Sequence, residues 1–395
     1  MSWGANQFLL RRASEHGHHR VTFVELFFDL VFVFAVTQLS HHLLHDLSPT
    51  GLLQTLILFV AVWWAWIDTA WVTNWLDPDR KPVRLMLLVL MLVGLVLSAT
   101  LPKAFHGGAL PFALAYAAFQ TGRSAFTIWA VSRHDPGQAL NFKRILCWQA
   151  LAAALWIAGA LAHDGPRLGL WAAAVVLESL APATGFFVPG LGASKAAEWN
   201  VEGGHMAERC ALFIIIALGE SILVTGATAA ELAWTTTNVA AFVTAFVGTV
   251  AMWWIYFDTG SERAGAHFAH ASETGHMARL NYTYIHQIIV FGIIGCAVSD
   301  ELILAHPGGE VSAATAAAIV GGPAVYVLGC GLFKYPLLGH MPLSHLAGIA
   351  LLAALVPLSG FFSPLGLAAA ATFALLVVAA WEAVSLRRMA ASGGR

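Results

Sequence analysis

The sequence predicts an all-α polytopic membrane protein of about twelve transmembrane helices, arranged as two parallel six-helix repeats. Three observations predict it. Apolar runs of helix length recur along the whole chain. Lysine and arginine fall almost wholly on alternate segments between those runs. Two short tryptophan-rich stretches, one in each half, nearly copy one another. Composition sets the background: 395 residues, 58% hydrophobic and 11% charged, with a mean hydropathy of +0.73. A soluble chain carries roughly 25% charged residues. The net charge of -2 and the lack of a basic tract argue against nucleic acid as a partner.

The polar segment 1–20 contains RRASEHGHHR and no small-residue cleavage pattern behind it, so it reads as a cytoplasmic tail. The first repeat, 21–187, holds runs at about 21–44, 51–72, 83–101, 109–131, 142–162 and 168–187. Residues 188–205 read as a cytoplasmic linker. The second repeat, 206–386, holds runs at about 206–227, 236–257, 278–300, 313–332, 343–358 and 362–386, and 387–395 is a second cytoplasmic tail. About 20 residues cross the hydrocarbon core. The eleventh run is short and contains Pro357. None of the runs alternates as barrel strands would.

Charge placement tests this count. With the N-terminus set inside, seventeen of the Lys and Arg residues lie on that side, against Lys103 and Arg167 on the other; Arg123 lies within the fourth run. This is the bias of the positive-inside rule, and it puts both termini in the cytoplasm. The copied stretches are AVWWAWIDT at 61–69 and AMWWIYFDT at 251–259, ending near Asp68 and Asp258. Each precedes a polar loop and an Arg-Leu pair, Arg84-Leu85 and Arg279-Leu280. Glu25 and Glu208 hold comparable places at the starts of runs one and seven. Because six is even, such halves share one orientation, as in transporters related by an axis along the membrane normal.

Chemistry concentrates in the embedded polar residues. VELFFDLVFVFAVTQ, 24–38, sets Glu25 and Asp29 four residues apart on one helix face. A carboxylate at bilayer centre costs about 2.5–3.5 kcal/mol, so such acids turn to the bundle interior, a partner or water. Glu25, near the helix start, is equally read as an anchor favoured by the helix dipole. In ERCALFIIIALGESILVTG, 208–226, Glu220 lies well inside the run. It reads as a proton carrier, a cation ligand or an acid paired with arginine. Gly219 is expected to admit a neighbouring backbone, and Ser221 adds a hydroxyl. Arg123 requires a carboxylate, which Asp29 or Glu220 could supply.

NYTYIHQIIVFGIIG sets Tyr282 and His286 at i,i+4. His286 is read either as a titrating group or as a neutral histidine locking helices together. Gly292 and Gly295 suggest tight helix contact, within one chain or between chains, which leaves a homo-oligomer open. Glu178 and Glu382 are later candidates, Glu382 close to the cytoplasmic boundary. The groups His41, His42 and His45, and His267 and His270 with Glu262 and Glu273, match no zinc motif. His16, His18 and His19 belong to the tail. The four cysteines read as buried small hydrophobes.

VELFFDLVFVFAVTQ and ERCALFIIIALGESIL resemble the two signatures of the bacterial low-temperature-requirement protein A (LtrA) family, and WWAWID and WWIYFD fit it too. The resemblance covers about residues 18–387; Cys210 stands where an aromatic usually follows the Glu-Arg pair. It implies a multi-span protein of the bacterial inner membrane and marks Glu25, Phe28, Asp29, Glu208, Arg209, Gly219, Glu220 and Ser221 as family-like. It implies no substrate or reaction.

The expected function is a transporter or channel in the lipid bilayer, moving a small solute or ion and coupled to protons or a monovalent cation. Asp29, Arg123, Glu220, His286, Glu25 and Glu208 are the expected transport or ion-binding residues. Asp68, Asp258, Arg209, Gly219 and Ser221 are expected to be structural or gating. The alternatives are an intramembrane enzyme or redox protein acting on an amphipathic substrate, with haem between paired histidines, and a structural or sensory membrane protein. Whether the chain is an enzyme stays open.

Overall fold

The computed structural model describes residues 9–11, 20–195, 198–199, 201–258 and 279–392. Among them are twelve helices of sixteen residues or more and no strand. The first six are α1 (Phe23–His45), α2 (Pro49–Trp75), α3 (Lys81–Thr100), α4 (Ala109–Val131), α5 (Pro136–Leu161) and α6 (Asp164–Leu180). The second six are α7 (Gly203–Glu231), α8 (Thr236–Phe257), α9 (His286–Ala305), α10 (Ala313–Leu338), α11 (Leu343–Leu358) and α12 (Pro364–Ser392). A π-helical turn, Arg279–Ile285, leads into α9.

Ten of these helices are long and apolar enough to cross a membrane. α4 and α6 fall outside that set: α6 has 17 residues, and α4 carries Gln120, Arg123, Ser124 and Thr127 on its buried side. The helices have ordinary local causes. Asp135 accepts the Gln138 N–H (2.9 Å) with Pro136 beside it at the start of α5, Thr235 accepts the Asn238 N–H (3.2 Å) at α8, and Ser312 accepts the Thr315 N–H (3.1 Å) at α10. Gly339, at a φ of 72°, supplies the left-handed residue that ends α10.

α3 shows the solvent for which the chain is built. Its inner side carries Val83, Met86, Leu87, Leu90, Gly94 and Leu97, while Leu85, Leu88, Val89, Leu92 and Leu95 face outward and exposed. A water-soluble helix would be charged there; in hydrocarbon an apolar outer face carries no penalty. The chain is a membrane protein whose helices are surrounded by lipid.

The contacts divide the chain into two units: described residues within 1–39 and 52–209, and those within 40–51, 210–258 and 279–392. In the first, α3 packs on α4, α4 on α5 and α5 on α6, and Trp64 Nε1 of α2 donates to Ser179 Oγ of α6 (3.4 Å). In the second, α9 packs on α10, α10 on α11, α11 on α12, and α8 on α12. Each unit therefore has the same order of neighbours. The segment 9–11 of the expected polar tail is docked in the first unit: Arg11 N–H donates to Trp75 O (2.7 Å) and Asp77 N–H to Leu9 O (2.9 Å). His16, His18 and His19 lie outside the described residues, as do His267, His270, Glu262 and Glu273.

Glycine marks the tightest packing in the second unit. A Cβ on Gly292 would stand 2.5 Å from the Tyr326 backbone nitrogen, and one on Gly322 would stand 2.6 Å from the Cys296 nitrogen. α9 and α10 thus meet backbone to backbone, which gives Gly292 and Gly295 a use within one chain. Gly219 behaves otherwise, correcting the expectation of close approach there: a Cβ at that position meets nothing within 4 Å. Gly322→Val is expected to destabilise the protein by about 1–3 kcal/mol or more through overpacking. Gly219→Ala is expected to be neutral or stabilising by up to about 1 kcal/mol. Denaturant unfolding in detergent, followed by helical circular dichroism, measures both.

Candidate functional site

The first unit buries two adjoining sets of charges. Glu25, in the first turn of α1, is fully buried. Arg11 Nη2 donates to both its oxygens (3.2 Å each), and the Thr22 hydroxyl and N–H donate to Oε2 (2.9 Å each). His205, in the first turn of α7, lies 2.9 Å away through Nε2. Asn74 fixes its tautomer. The Asn74 Oδ1 accepts the Glu202 N–H (3.0 Å) and Nδ2 donates to the Glu202 carbonyl (2.9 Å), so the amide nitrogen faces His205 Nδ1 (3.3 Å). Nδ1 is then the acceptor, and Nε2 carries the proton and donates it to Glu25. Arg11 is held in turn by Nε donating to Thr73 O (2.7 Å).

One turn further along α1, Asp29 Oδ1 accepts from Arg209 Nη2 (2.9 Å) and from Trp66 Nε1 (2.8 Å). The Arg209 guanidinium lies over the Trp66 ring, 5.7 Å from its centroid, a contact favourable to a desolvated cation. Both charges are fully buried. Their satisfaction is incomplete: among the described residues, Asp29 Oδ2 and Arg209 Nε and Nη1 have no hydrogen-bond partner.

A separate cluster lies among α2, α4, α5 and α6. Arg123 Nη2 donates to Asp68 Oδ2 (2.9 Å), and Nη1 donates to the Ala65 carbonyl (3.2 Å). This corrects the partner expected for Arg123, which is Asp68 rather than Asp29 or Glu220. Gln149 contacts Ser124 Oγ (2.6 Å), and the amide orientation that satisfies both its ends points its oxygen at Arg123 Nη2 (3.0 Å). Glu178 accepts from Tyr116 OH through both oxygens (3.0 Å each), and Gln120 Nε2 donates to Tyr116 OH (3.1 Å). Asp68, Gln120, Gln149 and Glu178 together line a cavity of about 20 Å³, room for one water-sized particle.

In the second unit His286 is committed at both nitrogens: Nδ1 to the Asn281 carbonyl and Nε2 to Tyr256 OH, each at 2.8 Å. Since a carbonyl only accepts, Nδ1 is the donor in the first of these, and the Tyr256 hydroxyl partners Nε2 in the second. Glu220 and Ser221 are buried in α7. Lys334, counted from the sequence among loop cations, is buried and donates to the Glu382 oxygens (2.9 and 2.7 Å) and the Ile255 carbonyl (2.9 Å). Glu382 is correspondingly interior, with His345 Nδ1 at 3.4 Å.

Against this geometry the family assignment can be stated. The model of the bacterial low temperature requirement A protein, LtrA, matches residues 20–380. The chain belongs to the LtrA family. It is also similar to a protein of Rhizobium meliloti (strain 1021) described only as uncharacterized: 41% identical over 371 residues, covering 94% of this chain and 90% of that one. No solved structure matches.

In this LtrA chain the two signature stretches meet directly, Asp29 of the first with Arg209 of the second. Glu208, beside Arg209, is exposed and accepts the Val21 N–H (3.1 Å). Asp258 is exposed and accepts only locally from Trp254 Nε1 (3.0 Å) among the bonds described. Sequence reasoning missed Arg11, Asn74, Trp66 and His205 as partners, because two sat in apparent tail or linker and two in an apolar or loop-edge context. Asp300 in α9 was missed as well. Removing one member of the Asp29–Arg209 pair leaves a buried charge alone. Arg209→Met is therefore expected to destabilise by about 3–5 kcal/mol, with Asp29→Asn on that background restoring most of the loss. A double-mutant cycle of denaturant unfolding measures the coupling.

Proposed function

We propose that this LtrA-family chain is a transporter or channel of the bacterial inner membrane, moving or coupled to protons or monovalent cations. The observation that carries the reading is the charge count around the first unit's cavity. Two carboxylates, Asp68 and Glu178, line it, and one guanidinium, Arg123, bonds to Asp68. In a low-dielectric bundle two close acids do not both ionise against a single cation without a proton or ion to complete the balance. The Gln120–Tyr116–Glu178 hydrogen bonds offer a hydroxyl through which a proton can pass. Asp29 and Arg209 of the first unit, with unused hydrogen-bonding capacity among the described residues, and buried Glu220 of the second are each assigned an ion- or proton-binding role of their own.

A duplicated six-helix unit fits this reading. The neighbour order is alike in both units, and cations of α4 and α10 donate to carbonyls at matching places in the copied motif, Ala65 and Ile255. A haem-based redox role has less support, since His286 and His205 each have both ring nitrogens bonded. The structural alternative is favoured by the Lys334–Glu382 pair, which is balanced.

Proteoliposomes carrying the purified protein and a trapped pH dye, driven by a voltage or cation gradient, test the proposal. The wild type is expected to show flux above empty vesicles. Glu178→Gln and Glu220→Gln are each expected to lower it by about tenfold or more, and Glu208→Gln to leave it unchanged. Absent wild-type flux rejects transport; unchanged flux in Glu220→Gln rejects that residue's role. A reporter fused after Arg395 is expected to be active only as a cytoplasmic reporter, with alkaline phosphatase inactive at the same place.

A further inference from the structure

A second cavity, inside the unit formed by α8 to α12, has no part in the site above. It measures about 20 Å³ and is lined by Asp300 and Ser299 of α9, Thr249 of α8, Thr372 of α12, and Ile319 and Pro323 of α10. Asp300 is 8% exposed, yet among the described residues it forms no ion pair or hydrogen bond. A buried carboxylate within a membrane helix normally has one or the other.

The walls supply what a cation wants. Pro323 sits inside α10 and has no N–H to give the Ile319 carbonyl one turn earlier, so that oxygen loses its usual helical partner. Thr249 Oγ1 spends its proton on the Ala245 carbonyl (3.2 Å), which leaves its lone pairs for a positively charged neighbour. Gly248 also lines the cavity, beside Thr372, whose Oγ1 a Cβ at that position would meet at ordinary contact distance, 3.4 Å. Carboxylate, carbonyl and hydroxyl oxygens are hard donors, suited to hard cations. One carboxylate balances one charge, and the volume admits one particle about the size of a water molecule. A calcium or magnesium site would call for more carboxylate or for retained waters.

We propose that the Asp300 cavity is a binding site for one dehydrated monovalent cation of sodium size. Asp300 supplies the countercharge, and Ile319, Ser299, Thr249 and Thr372 supply neutral oxygens. The site requires no transport, since its occupancy is an equilibrium property of the folded chain; absence of flux in vesicles leaves it standing, and its failure leaves the Asp68–Glu178 reading standing.

The test is equilibrium binding of radiolabelled sodium to the full chain in detergent, with choline holding ionic strength constant and lithium and potassium as competitors. The wild type is expected to bind about one ion per chain saturably. Asp300→Asn is expected to weaken binding by about tenfold or more, and Thr372→Val by a smaller factor, both with unchanged gel-filtration and circular dichroism profiles. No saturable sodium binding by the wild type overturns the proposal and leaves a protonated Asp300 with water. So does undiminished binding by Asp300→Asn. If that variant does not fold, undiminished binding by both Ser299→Ala and Thr372→Val overturns it instead.

Discussion

A charge carried into a lipid-embedded bundle has to be met inside the chain, because hydrocarbon offers neither water nor counterion. Most of the polar architecture here is an answer to that constraint. Glu25 has Arg11 and His205, Asp29 has Arg209, Asp68 has Arg123, and Glu382 has Lys334. Each pair joins different helices or joins a helix to a segment outside it, so each also fixes which elements are neighbours. The places where the answer is incomplete then stand out: Glu178 beside an already paired acid, and Asp300 with no partner among the described residues.

The copied motif shows how lipid relaxes the demands on a repeat. Trp63 and Trp64 of α2 are buried, whereas their counterparts Trp253 and Trp254 of α8 are 46% and 43% exposed. In water such a divergence would cost several kcal/mol of exposed aromatic surface. Against acyl chains both settings are apolar, and the same side chains serve in both. The third matching aromatic is more constrained, since its polar atom needs a partner. Trp66 Nε1 has Asp29, and Tyr256 OH has His286.

Much of the helical order was legible from hydropathy, because a span must be continuous and apolar, and the expected runs overlie α1 to α12 closely. Asp29 was legible as an interior acid for the same reason: a carboxylate amid phenylalanine has few other places to go, whereas Glu25, near the helix start, read equally well as an anchor. Their partners were not legible. His205 lies in a segment that reads as linker, and Arg11 in one that reads as tail; nothing in local composition tells a docked polar residue from a solvated one. Arg123 was legible as a cation in need of an acid, but Asp68 sat near a helix end and looked interfacial. Gly219 misled because glycine spacing reveals possible approach without naming the neighbour; Gly292 and Gly322 do have one.

The docking of segment 9–11 against the end of α2 bears on how the chain is made. Glu25 and His205 are separated by 180 residues, and at roughly 5–20 residues per second a ribosome needs on the order of ten to thirty-five seconds to bridge that distance. For that interval Glu25 has been made and its imidazole partner has not. Arg11 precedes it by only 14 residues and is seated as soon as Thr73 and Trp75 emerge. Segment 9–11 thus gives Glu25 a partner close in sequence, while the imidazole comes from the seventh helix.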